Sequence, residues 1–167
     1  GLGNALGSEL TLINPPYLEK SVLAAAVRLK MPMTIHAAIG TDVYNIHPDA
    51  DGAALGAATM HDFRLFCWMV SNLEDGVFIN LGSAVIMPEV FLKALTLVRN
   101  PRHNLVRLTI LNLAFIRPYC PQVNVVRRPT HNARGRGLSF LGPHELLHPP
   151  FAAPLAACRE VTYTRSR

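Results

Sequence analysis

Apolar positions recur along this chain at two spacings, and the switches between them predict its elements. The residues after Gly1 read as the middle of a helix, and with no methionine at the start a fragment of a longer protein is expected. Pro15-Pro16 lead into Tyr17 to Val27, where proline suits a first turn and Leu18, Val22, Ala25 and Ala26 mark a buried stripe at helical spacing. Pro32 stops that helix. Met33-Thr34-Ile35-His36-Ala37-Ala38-Ile39 is short, mostly apolar and closed by Gly40, the pattern of a buried strand.

From Gly40 to Gly52 the residues Asp42, Asn45, Pro48, Asp49 and Asp51 predict a loop. The run from Ala53 to Leu73, rich in Ala, Leu, Phe and Met and followed by Gly76, predicts a long helix. Val77 to Leu81 reads as a second buried strand, entering a Gly82-Ser83-Ala84 turn and a helix from about Pro88 to Arg99. Leu108 to Leu113 reads as a third strand and Val123-Asn124-Val125-Val126 as a weaker fourth, while Arg127 to Gly137 is loose in composition.

Strands alternating with helices imply βαβ units, so the expected fold is α/β, a Rossmann-like and mostly parallel sheet flanked by helices. In such sheets ligands gather at the C-terminal strand ends. Here those ends carry Gly40-Thr41-Asp42, Gly82-Ser83-Ala84 and Asn112.

Composition narrows the class. Half of the 167 residues are hydrophobic and 16% are charged, enough to bury a core in one domain. No apolar run reaches the roughly 18 residues of a membrane span, and no leader peptide is read. Cys67, Cys120 and Cys158 are too few and scattered for a disulfide framework or a zinc site, which leaves a reducing cytoplasm as the expected compartment. Residues 1–98 carry five Lys or Arg against nine Asp or Glu, whereas residues 99–167 carry eleven Arg against two Glu. That basic segment lacks the interleaved aromatics of a nucleic-acid surface, so Arg127 and Arg128 read as solvated side chains or a clamp for a cofactor phosphate.

Local chemistry leaves alternatives. The Gly82 turn before a helix suits backbone approach to an anion, or serves only as a tight turn. Asp42 after a glycine can accept ribose hydroxyls or an ammonium, or act as an Asx-turn acceptor. His36 lies within an apolar strand, where a neighbour satisfies most imidazoles. His36, Asp42, His47, His61 and Asp62 match no compact metal-ligand spacing, and no metal site is assigned.

The stretches Met33 to Asp42, Leu81 to Ile86 and Val123 to Pro129 resemble a bacterial branch of the deoxyhypusine synthase-like proteins. The match runs from about Gly1 to Ala157, the C-terminal part of that family, so residues 1–157 are expected to be part of one NAD-binding domain and 158–167 an irregular tail. The resemblance implies NAD as cofactor and subunits paired as dimers or tetramers. It also implies hydride transfer from a polyamine or related amine, with an aminobutyl group passing through an enzyme lysine. Thr41-Asp42, with Gly40, match the family's strand-end residues, Gly82-Ser83-Ala84 its glycine turn, and Asn112 a strand end near the cofactor. Two departures stand out. Met87-Pro88-Glu89 replace the family's histidine pair, leaving His36 and Glu89 as the candidates for catalysis. No lysine occurs from Leu113 to Arg167, and the single tryptophan is Trp68. Imine chemistry needs an amine nucleophile, which arginine cannot supply. A non-catalytic oligomerisation or regulatory relative is therefore the alternative reading, and metal-assisted hydrolysis by His36, Asp42 and His61 a third.

Overall fold

The computed structural model of the chain describes residues 1–100, 105–131 and 134–164. It divides into two compact units, Gly1–Asn72 with Lys93–His103, and Leu73–Leu92 with Asn104–Arg167.

The first unit is helical. Helices α1 (Leu2–Ile13), α2 (Val22–Arg28) and α3 (Gly52–Ser71) surround an irregular segment. On α1, Gly3 and Gly7 are buried one turn apart. A Cβ at Gly3 would lie 2.4 Å from the Met33 carbonyl oxygen, and one at Gly7 2.6 Å from Val27 Cγ2. These two glycines let neighbouring backbone and side chains close onto α1.

The stripe expected on the next helix is shifted in phase. Tyr17 takes a left-handed φ of 67°, Leu18–Lys20 form a 3-10 turn, and Ser21 restarts the helix as an N-cap, its Oγ accepting the Ala24 N–H at 3.3 Å. Ala24 is buried while Val22 is 78% exposed. On α3, Asp51 caps the first turn by accepting from Ala53 and Ala54, and Asp62, Phe66, Cys67 and Val70 form the buried face.

Residues 33–39 form no strand. Their donors are met by side chains: Ile35 N–H bonds Asp62 Oδ2 at 3.0 Å, Ala37 N–H bonds Thr59 Oγ1 at 2.9 Å, and Ala38 N–H bonds Asp42 Oδ2 at 2.6 Å. Thr59 and Asp62 stand one helical turn apart on α3, so they meet alternate residues of the segment as a neighbouring strand would. An apolar run does not distinguish a ladder from this arrangement.

The second unit holds the sheet, three parallel strands in the order β1 (Val77–Leu81), β2 (Thr109–Ala114), β3 (Arg136–Leu141). The start of β1 is tied to the approach to β2: Glu74 Oε2 accepts the Val106 and Arg107 N–H groups at 2.7 and 3.0 Å, and Arg107 grips Asp75 through two 2.7 Å bonds. Helix α4 (Ile86–Arg99) follows β1, and its residues 86–92 belong to this unit. Phe91, fully buried, stacks on Phe78 with centroids 3.8 Å apart.

Two further expectations fail here. Val123–Val126 is not a strand but lies inside a π-helical segment, Pro121–Arg127, that continues into α5 (Arg128–Thr130). β-branched residues favour a strand only where a pleated surface receives them; here Val125 and Val126 are buried within helix. The third strand of the sheet comes instead from Arg136–Leu141, overlapping the stretch read as loose. Helix α6 (His144–Thr164) carries Pro149, Pro150 and Pro154 and runs through Cys158, where an irregular tail was expected; residues 165–167 lie outside the described ones.

β1 was expected to be buried and is half bare. Alternation puts Val77, Ile79 and Leu81 on one face with Leu111, Leu138 and Phe140, and Ile79 is 45% exposed. The opposite face, with Phe78 and Ile110, carries the core.

Candidate functional site

The C-terminal ends of the three strands converge on one row of polar groups. Register aligns Asn80 with Asn112 and Asn112 with Ser139. Asn80 Nδ2 donates to Asn112 Oδ1 at 2.8 Å, and Asn112 Nδ2 donates to Ser139 Oγ at 3.2 Å. Both asparagines are buried, so the bonds between them meet donors and acceptors that water cannot reach.

Asn80 also anchors the following turn, since its Nδ2 donates to the Ser83 carbonyl at 2.9 Å. Gly82 adopts φ 72°, a left-handed value that suits glycine, and its N–H bonds the Leu113 carbonyl at 2.9 Å. Ser83 Oγ accepts the Met87 N–H at 3.3 Å, holding the start of α4. Gly82 and Ala84 are exposed.

His144, opening α6, lies over this turn. Its Nε2 sits 3.2 Å from where a Cβ on Gly82 would stand, and its Nδ1 is buried with no hydrogen-bond partner. Behind the turn, Asn124 donates through Nδ2 to Glu89 Oε1, and Arg128 Nη1 donates to Asn124 Oδ1 at 2.9 Å. Glu89 is thus a member of a polar relay linking α4 to the π-helical segment.

The expected strand-end residues therefore fall in different units. Gly82, Ser83, Ala84 and Asn112 gather at one sheet edge in the second unit. Gly40, Thr41 and Asp42 belong to the first unit and end no strand of the sheet. Asp42 Oδ2 accepts from Ala38 N–H and from Tyr44 Oη at 2.8 Å, and Asp42 opens the 3-10 turn Val43–Ile46. The Ala38 N–H, then the tyrosine hydroxyl, hold its carboxyl below the usual carboxylate range. It performs the turn-forming role that competed with ligand binding.

His36 is likewise held locally. Its Nε2 stands 3.1 Å from Thr34 Oγ1 and its ring meets Phe66 edge-on at 5.4 Å. Burial lowers its pKa, against the raising influence of the Asp62 carboxylate. Among the described residues no three His, Cys, Asp or Glu side chains are grouped to hold a metal ion.

Sequence reading missed Asn80, Ser139 and His144. Asn80 carried a signal, a lone amide in an apolar strand two residues before a glycine turn; Ser139 and His144 followed the stretch taken as loose.

No family model matches the chain, and no curated protein or solved structure does either.

Proposed function

We propose that the second unit binds a nicotinamide dinucleotide at the C-terminal edge of its sheet, in a deoxyhypusine synthase-like protein acting on an amine or polyamine. The observation that carries the reading is the Asn80–Asn112–Ser139 row ending on the Gly82 turn. Polar strand tips, a positive-φ glycine and the start of a 14-residue helix meet where open parallel sheets take their ligands. The partnerless Nδ1 of His144 beside Gly82 fits a ligand that brings a hydrogen-bonding group.

In this reading Gly82 and Ala84 admit the cofactor close to the backbone, Ser83 holds its polar groups, and the buried Asn112 positions the turn through its bond with Asn80. NAD, when bound, accepts a hydride from carbon. Glu89, tied to Asn124, is placed to position rather than to react, and no residue is assigned as nucleophile, since residues 113–167 hold no lysine.

Isothermal titration of NAD into the protein tests this. Saturable binding is expected, weakened by Ser83→Val without loss of fold; no heat at about millimolar cofactor, an affinity near 4 kcal/mol, would overturn it. The alternative, a non-catalytic oligomerisation module, is favoured by one observation, the bare apolar sheet face around Ile79. Product formed from spermidine or putrescine with NAD would count against it.

A further inference from the structure

Between β2 and β3 the chain runs as one helical stretch: Tyr119 and Cys120 open it, Pro121–Arg127 wind as the π-helical segment, and α5 closes it. Its inner side buries Val125 and Val126. Tyr119, Val123, Arg127 and His131 recur at every fourth position, a spacing that sets side chains on one side of a helix, with Arg128 next to them. These five residues line an open groove of about 450 Å³.

The groove has no acid among its lining side chains. Tyr119 is 73% exposed, and Arg127, Arg128 and His131 are exposed as well. Asn124 steadies Arg128 by accepting its Nη1 proton on a neutral amide oxygen at 2.9 Å, which leaves the guanidinium charge in place. Among the described residues neither Arg127 nor Arg128 forms an ion pair. The loop leading into the helix, 115–118, adds Arg117 and the exposed Phe115 and Ile116.

Residues 99–167 carry eleven Arg against two Glu, yet no aromatic residue lies between Arg127 and Arg136. The fold brings one from eight residues upstream, because Tyr119 borders the same groove as the two arginines. Uncompensated guanidinium groups match phosphate oxygens, and an exposed ring beside them is a surface on which bases stack. The π winding adds to this, since it is rare and frequent at functional sites.

We propose that this side of the helix binds single-stranded nucleic acid, with a base stacked on Tyr119 and phosphates held by Arg127 and Arg128. The proposal does not rest on the dinucleotide reading, which assigns none of these side chains a part at the sheet edge.

Fluorescence anisotropy of a labelled oligothymidylate of about a dozen nucleotides, titrated with the full chain, tests it. Saturable binding that weakens with salt is expected. Tyr119→Ala should weaken it about fivefold or more, and Tyr119→Phe should restore it. Arg127→Gln with Arg128→Gln should lower the slope of log affinity against log salt by about 1.4; Arg127→Gln alone, by about 0.7, serves if the pair fails to fold by circular dichroism. An abasic strand of the same length, which keeps the phosphates and lacks the bases, should bind more weakly than the thymidylate. Absence of binding at low salt, undiminished binding by Tyr119→Ala, an unchanged salt slope in the folded arginine variants, or equal affinity for the abasic strand would each overturn the proposal.

Discussion

Single residues in the first unit are set by what their neighbours leave unsatisfied. His36 is the clearest case: its half-buried ring disfavours the imidazolium, so its pKa in the folded chain lies below the ordinary 6.5. The unfolded chain therefore takes up this proton first as pH falls. Stability from a neutral His36 is complete above 6.5 and declines as pH drops through that value. Thermal unfolding at about pH 7.5 and about pH 5.5 should show a smaller loss of midpoint for His36→Gln than for the parent. Equal losses would remove His36 from the account. Cys67 behaves similarly, its thiol pushed up by burial, so iodoacetamide should modify it slowly until the chain unfolds.

At the level of elements, the central strand carries the weight. Ile110 is fully buried on β2 while Ile79, its neighbour across the sheet on the other face, is 45% exposed. Ile110→Ala should cost about 2–5 kcal/mol in urea unfolding, and Ile79→Thr about 0.5 kcal/mol or less. Comparable losses would mean that the Ile79 face is covered. The same contrast explains what could be read from sequence. β1 and β2 are isolated apolar runs between glycine and polar punctuation, and α3 is long and capped, so all three are legible. The segment 33–39 shows the same apolar signal and is not a strand, because Thr59 and Asp62, more than twenty residues away, supply its hydrogen bonds. Val123–Val126 fails for a related reason: its burial within a helix is a property of the packed unit, not of four residues. Of the candidate site, the glycine turn and Asn112 were legible because they interrupt apolar runs. Ser139 and His144 were not, lying beyond an arginine- and glycine-rich stretch with no periodicity.

For the molecule as a whole, the division into two units reshapes the reading of its chemistry. The proposed dinucleotide edge draws on the second unit, while Gly40, Thr41 and Asp42 belong to the first. The second unit also leaves an apolar face open, and parallel sheets are ordinarily covered on both sides. If that face seats another copy, sedimentation should show a species heavier than 18.3 kDa that Ile79→Lys converts to monomer. A monomer at all concentrations would count against the oligomer reading.

The row of side-chain amides across the strands has a consequence for how the sheet forms. Sliding any strand by a single position would turn its amide or hydroxyl to the opposite face, and sliding by two would set it against residues such as Phe78, Ile110, Ala114 or Gly137, none of which offers a polar side chain. Three aliphatic residues in those places would tolerate either mistake. The polar rung thus works as an alignment key: it selects one arrangement among several that hydrocarbon alone could not tell apart.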